Sequence, residues 1–349
     1  MRCDSIADAI GGTPMIRLNR LTTDQDATVW VKLEGLNPSG SVKARPALAM
    51  LRAALADGRL TEQGMIVEAT SGNLGIALAM LGAALGIDTT IMVDPRTPAF
   101  SVRSIEAYGA DAHLVREADE HGKYQIPRIE AARRIQRDVP GAFMPNQWDN
   151  PDNPAAHEQT TAREILSDLD NQVHAVVCTT SSCGQITGIG RMVKKVAPDC
   201  RTVAVDGRGS TAIGGPMGKH LLIGLGSGFT PGNFDRAAID DAYWCADEDA
   251  FSTCRLLAQR EGILVGGSSG AAVFIALRIA AQLGAGHNVV AVAPDNGDRY
   301  LDTIYNDAWL ADNGVHLADD PARLRERFAE YDPYPGHKLQ PWRRFSATA

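Results

Sequence analysis

The sequence predicts an α/β protein with helix-covered, mainly parallel sheets. Short β-rich runs alternate with Ala- and Leu-rich stretches of helical length, the strand candidates are nearly continuous in apolar residues, and a glycine follows several helical stretches as a stop. Strands without polar alternation are buried on both faces, so helices must cover both sides of the sheet.

In chain order, the strand candidates are 28–33, 65–68, 89–93, 175–178, 202–205 and 289–293, rich in Val, Ile, Thr and Ala. Helices are expected at 44–57, 74–86, 155–169, 185–196, 247–261 and 269–283, with Gly58, Gly86, Gly109 and Gly284 as stops. The Pro- and Asn-rich segment 145–154 reads as a crossover between two α/β halves. This divides the chain into a larger domain of 1–40 and 151–310, a smaller one of 41–150, and a polar tail or arm of 311–349. In that tail, Pro333, Pro335, Pro341 and Trp342-Arg343-Arg344-Phe345 suit either a disordered end or docking on a partner subunit.

With 349 residues, 44% of them hydrophobic, the chain can bury two moderate cores. A formal net charge of −8 argues against nucleic-acid or anionic-membrane partners. No apolar run is long enough to span a membrane, and Met1-Arg2-Cys3-Asp4 does not begin a signal peptide, so a cytoplasmic location is expected. The cysteines at 3, 178, 183, 200, 245 and 254 form no C-x-x-C pair, which predicts reduced, mostly buried thiols and no metal site.

Four turns carry candidate chemistry. In Asn37-Pro38-Ser39-Gly40-Ser41-Val42-Lys43, a turn delivers Lys43 to a helix N-terminus, where the dipole disfavours a cation and favours a neutral amine or imine. Alone, this reads more readily as a surface lysine. Thr70-Ser71-Gly72-Asn73 joins a strand to an Ala-rich helix and offers N–H and hydroxyl donors to a carboxylate, with Asn73 able to reach a ring oxygen; a plain helix cap is the simpler alternative. Ser181-Ser182-Cys183-Gly184-Gln185 again joins strand to helix and can cradle a phosphate, but it is neither G-x-G-x-x-G nor a Walker motif, which disfavours dinucleotides and ATP. Ser268, in Gly266-Gly267-Ser268-Ser269-Gly270, can pair with a pyridine nitrogen or merely cap a helix.

Together these turns resemble the tryptophan synthase β-like, fold-type II superfamily of pyridoxal-phosphate enzymes, and within it the cysteine synthase family. The resemblance covers roughly residues 5–310. It includes Gly11-Gly12-Thr13-Pro14, the run from Gln147 through Asn150-Pro151, Asn153-Pro154, His157 and Thr160-Thr161 to Glu164-Ile165, and Gly224-Leu225-Gly226-Ser227-Gly228-Phe229. It implies pyridoxal 5′-phosphate as cofactor, Lys43 as its Schiff-base partner and proton shuttle, Asn73 at the 3′ oxygen and Ser268 at the ring nitrogen. It also implies residues 181–185 at the phosphate, Thr70, Ser71, Gly72 and Gln147 at the substrate carboxylate, a mobile small domain, and a homodimer.

Two departures stand out. The family's Gly-Thr-Gly-Gly-Thr phosphate loop is Ser181 to Gln185 here, and the acidic residue that usually follows the lysine is Ala44. Gly72 to Leu78 and Asp298 to Tyr305 look more like N-(2-amino-2-carboxyethyl)-L-glutamate synthases, which join O-phosphoserine to glutamate on the way to 2,3-diaminopropionate for siderophores and antibiotics. That implies β-elimination of phosphate, addition of the glutamate amine and ping-pong kinetics, with Arg45, Arg103 or Arg208 as candidate anion-binding groups. Rival readings are a cysteine or cystathionine synthase with a sulfur nucleophile, a nicotinamide oxidoreductase, and a catalytically silent binding protein.

Overall fold

The structure, a computed structural model, describes residues 2–331 except 121, together with Pro333. The chain runs through β1 (Met15–Arg17), β2 (Thr28–Leu33), α1 (Ala44–Ala56), β3 (Met65–Ala69), α2 (Asn73–Leu85), β4 (Asp88–Val93), α3 (Ala99–Ala107), β5 (Asp111–Leu114), α4 (Gln125–Asp138) and β6 (Ala142–Phe143). It continues through α5 (Asp152–Gln159), α6 (Thr161–Asp168), β7 (Ala175–Thr179), α7 (Gly184–Val196), β8 (Arg201–Gly207) and β9 (Asp241–Cys245). The last elements are α8 (Asp247–Leu256), α9 (Gly267–Leu283), β10 (Asn288–Ala293), α10 (Asp307–Asp312) and α11 (Pro321–Glu326).

Two sheets result. A six-stranded sheet has the order β1-β2-β10-β7-β8-β9 and is parallel except for β1, and a four-stranded sheet, β5-β4-β3-β6, is parallel throughout. The predicted α/β class is what forms. Helices cover both faces, as the apolar strands require. Ala175 and Val177 of β7 join the core with Phe251 and Phe274 of α8 and α9, whereas Val176 and Cys178 point the other way, into a core with Ile165, Ile186 and Ile189 of α6 and α7. In the small sheet Ile66 packs with Met50 and Leu78, while Val67 and Ala69 pack with Ile129 and Ala132 of α4.

The six predicted strands are the interior strands, and the four that the sequence did not announce, β1, β5, β6 and β9, are the edges of the two sheets. Edge strands are paired on one side only, and β1, β5 and β6 are two to four residues long, too short for a continuous apolar signature; β5 is mostly exposed, whereas β9 is five residues long and largely buried. The stretch expected as one helix at 155–169 starts earlier, at Asp152, and is broken at Thr160 into α5 and α6. The helix expected to end at 261 leaves α geometry after Leu256 and finishes as a π-helical turn over Leu257–Glu261. Among the described residues, four further α-helices lie outside the expected ones: α3, which precedes the expected stop at Gly109, the polar α4, and the short α10 and α11.

Segment 145–154 carries the chain from β6 into α5 as a hydrogen-bonded turn. Asn150 Nδ2 donates to Pro145 O at 2.8 Å, and Asn153 Nδ2 donates to Gln147 O, also at 2.8 Å. The expected tail differs as far as it is described. Leu324 and Tyr331 are buried, Phe328 packs on Phe274, and the Tyr331 hydroxyl donates to Asp249, so residues up to 331 close the large core of their own chain. The Trp342 to Phe345 run lies outside the described residues. Among the described residues no helix is long and apolar enough to cross a membrane, and no cluster of His, Cys, Asp and Glu suits a metal ion. The six cysteines are free, and all but Cys3 are buried.

Candidate active site

Lys43 is placed by its turn. Asn37 is tied on both sides, its Nδ2 donating to Glu34 Oε2 and its Oδ1 accepting from Gly11 N, each at 2.9 Å. Val42 N donates to Pro294 O at 2.7 Å, which docks the turn on the end of β10 and sets Lys43 just before α1. Burial pushes the Lys43 amine below the ordinary lysine range, against the opposing pull of the Asp295 carboxylate. A neutral amine is the nucleophilic form needed for a Schiff base.

A cavity of about 230 Å³ opens at Lys43. Its wall contains Thr70, Ser71, Gly72, Asn73, Gln147, Ser181 and Ser268, so three of the four predicted turns converge there with Lys43. The first three residues close the β3–α2 connection, and Ser268 opens α9. A smaller adjoining pocket, also reaching Lys43, is lined by Ser181, Ser182, Cys183, Gln185 and His157. Gly184 stands behind it as the first residue of α7, where Asn153 Oδ1 packs so closely that any Cβ would overlap it.

The small pocket suits a phosphate. It sits at the N-terminus of a long helix, and the Gln185 Nε2 donor is buried without a partner. Cys183 adopts φ 60°, the left-handed conformation that a glycine of the family pattern takes freely, and burial pushes its thiol far above the usual range. His157, buried with Nδ1 3.0 Å from Thr161 Oγ1, is held well below the ordinary histidine range by burial and by the nearby Arg45 charge. It remains neutral.

None of the three candidate arginines reaches the cavity. Arg45 is buried between Glu34 and Glu164, with Nε 2.6 Å from Glu34 Oε2 and Nη1 2.6 Å from Glu164 Oε1, so its charge is already spent on fixing α1. Arg103 is exposed on α3. Arg208, expected to bind substrate, is exposed after β8 and stacks 5.2 Å over the Tyr331 ring.

Two other arginines line the cavity instead. Arg128, on α4, is buried; Asp94 Oδ2 lies 3.1 Å from its Nε without hydrogen-bond alignment, and Nε and Nη1 have no hydrogen-bond partner. Burial pushes its guanidinium below the ordinary range. Arg299 follows β10 and reaches Asn73. Among the described residues no carboxylate lines the cavity, whose charged residues are Lys43, Arg128 and Arg299. Nothing in the sequence separates Arg128 from its many neighbours, whereas Arg299 sits in the Asp298-Arg299-Tyr300 run that carried part of the resemblance.

A buried lysine amine whose charged form is disfavoured, a helix N-terminus with an orphaned donor and a serine at a second helix N-terminus form the donor set that pyridoxal phosphate needs. The chain belongs to the pyridoxal-phosphate dependent enzymes, whose family model matches residues 6–295, and it is a fold-type II enzyme that catalyses β-replacement. It is 40% identical over 311 residues to the N-(2-amino-2-carboxyethyl)-L-glutamate synthase of Ralstonia nicotianae, covering 89% of this chain and 92% of the relative. Among solved structures, O-ureido-L-serine synthase matches at 37% identity with a TM-score of 0.81, over 89% of this chain and all (100%) of that one. The cysteine synthase of Entamoeba histolytica matches at 30% identity with a TM-score of 0.85, over 95% of this chain and 96% of its own.

Proposed function

We propose that the enzyme replaces the phosphate of O-phospho-L-serine with the amine of L-glutamate, giving N-(2-amino-2-carboxyethyl)-L-glutamate and inorganic phosphate. The observation that carries this is the cavity's charge: two arginines and a lysine and, among the described residues, no carboxylate, one arginine being buried with free donors. Such a site favours a phosphorylated donor and a dicarboxylate acceptor. The name of the relative at 40% identity supports the same pair.

In this reading Ser181 to Gln185 hold the cofactor phosphate, Ser268 faces the ring nitrogen, and Asn73 faces the ring oxygen. When bound through Lys43, the cofactor withdraws electron density from Cα and so lowers the barrier to breaking its C–H bond. Thr70, Ser71, Gly72 and Gln147 hold the donor carboxylate. Arg128 takes the phosphate, strengthening its hold as negative charge grows on the leaving oxygen. The Lys43 amine removes the α proton while the Cβ–O bond breaks, keeps that proton at Nζ, and returns it to Cα after the glutamate nitrogen has bonded to Cβ. The glutamate ammonium gives up one proton as its nitrogen bonds to Cβ and the departing phosphate takes one up, so hydrogen phosphate leaves and the exchange balances.

The holoenzyme, mixed with O-phosphoserine or O-acetylserine and then with a panel of amino acids and thiols, is expected to yield the glutamate adduct from phosphoserine by mass spectrometry. Cysteine or cystathionine as the main product would overturn the reading.

A further inference from the structure

Asn73 is the first residue of α2, and both ends of its side-chain amide are engaged by residues more than 200 positions away. Arg299 Nη1 donates to Asn73 Oδ1, and Asn73 Nδ2 donates to Asp295 Oδ2 at 2.8 Å. The Tyr300 hydroxyl donates to the same Asp295 oxygen at 2.7 Å. A guanidinium has only donors, and an oxygen that receives a hydroxyl acts as an acceptor, so these partners distinguish the two ends of the amide. A flipped amide would set donor against donor and acceptor against acceptor. In the orientation adopted, one N–H remains for a ligand in the cavity.

The partners are themselves fixed. The Arg299 guanidinium lies 5.1 Å from the Phe100 ring centroid on α3, and its Nη2 reaches Ser39 O at 3.4 Å. Gly40, at φ +74°, makes way for it: a Cβ there would stand 2.4 Å from Nη2. Asp295 is buried beneath, with Oδ1 unbonded. Burial raises its carboxyl above the ordinary range, and a proton on the free Oδ1 would leave Oδ2 an acceptor.

We propose that Arg299 and Asp295 are positioning residues that lock the Asn73 amide in one orientation, so that its remaining N–H is presented to the ring oxygen of pyridoxal phosphate. They act through Asn73 and do not touch the reacting atoms. The proposal rests on the assignment of Asn73 to that oxygen, which a separate variant tests.

The test compares holoenzyme carrying Asn73→Ala, Arg299→Met, Asp295→Ala, Asp295→Asn, and Asn73→Ala combined with Arg299→Met. The readouts are the visible absorption band of the bound cofactor, its pH titration, and cofactor affinity. Asn73→Ala is expected to shift the band and weaken affinity by about tenfold, the size of one good hydrogen bond. Arg299→Met and Asp295→Ala should shift it in the same direction with about threefold weakening, and the double variant should match Asn73→Ala alone. Asp295→Asn, which keeps an acceptor for the Asn73 amide, should stay near wild type. An unshifted band in Asn73→Ala would remove Asn73 from the ring oxygen. A shifted band there, with unshifted bands in Arg299→Met and Asp295→Ala or full additivity in the double variant, would overturn the lock. If Arg299→Met does not fold, Asp295→Ala decides: a band between wild type and Asn73→Ala supports the lock, and a wild-type band overturns it.

Discussion

Residues 70–73 and 181–185 both join a buried parallel strand to the N-terminus of a 13-residue helix, yet they differ in enclosure. Ser71, Gly72 and Asn73 keep partial contact with solvent, whereas Ser182, Cys183, Gly184 and Gln185 are all buried. The closed turn is roofed by Asn153 and His157 and holds an unsatisfied donor, Gln185 Nε2; the open turn faces the larger cavity with its arginines. A buried donor set is costly unless a ligand stays in place, while a turn at the mouth of a cavity allows ligands to exchange. The same supersecondary unit thus forms a closed turn suited to a resident anion in one sheet and an open turn suited to exchanging ligands in the other.

Lys43 lines both pockets, so Lys43→Ala should break the comparison at its centre. Turnover is expected to fall by on the order of a thousandfold or more, with loss of covalent cofactor attachment read by mass spectrometry of the denatured protein. Retained turnover would remove Lys43 from the chemistry.

Glu68 sharpens the open side. Its carboxylate accepts from Ala69 N at 2.8 Å and Gln147 N at 3.3 Å, and burial pushes its pKa up to about 7 from 4.5. The folded chain therefore binds the extra proton. This group's contribution to stability is fully present below about pH 4.5 and is lost as pH rises through about 7, by up to about 3 kcal/mol. Glu68→Gln is expected to flatten that slope in unfolding titrations; an unchanged slope would show that Glu68 does not set it.

Arg128→Met should act on the open side alone, raising KM for O-phosphoserine by about ten- to a hundredfold while the cofactor spectrum stays as it was. An equal rise for O-acetylserine would mean that Arg128 does not read the phosphate. Cys183 gives the smallest effect, on the closed side. Relief of its left-handed backbone in Cys183→Gly is offset by the greater freedom of the unfolded chain, leaving stability within about 1 kcal/mol, whereas Cys183→Val should cost about 2 kcal/mol. Thermal unfolding would measure both, and neither should change KM for the donor.

Much of this was legible in the sequence because it is local. A strand paired on both sides and covered on both faces must be apolar along its length, which is why β2, β3, β4, β7, β8 and β10 could be read off and the four edge strands could not. Turns rich in Gly, Ser, Thr and Asn between such strands and Ala-rich helices mark anion sites for an equally local reason, since the donors are the first N–H groups of the helix itself. Lys43 joined them because the Asn-Pro-Ser-Gly turn fixes where the next helix begins.

The arginines were not legible in the same way. Arg45 and Arg128 are both buried, but Arg45 meets two carboxylates that complete its hydrogen bonds, while Arg128 meets one poorly aligned carboxylate and keeps donors free. Arg208 follows a buried strand, as a site residue might, yet it turns outward onto Tyr331. A guanidinium carries its charge everywhere in the chain, and whether that charge is structural, catalytic or idle depends on partners brought from distant segments. The sequence by itself therefore determined the α/β framework, the place of Lys43 just before its helix and the turns around it. Only the tertiary structure decided that Arg128 and Arg299 line the cavity and that Asp295 reaches Asn73, because those relations come from packing between remote elements.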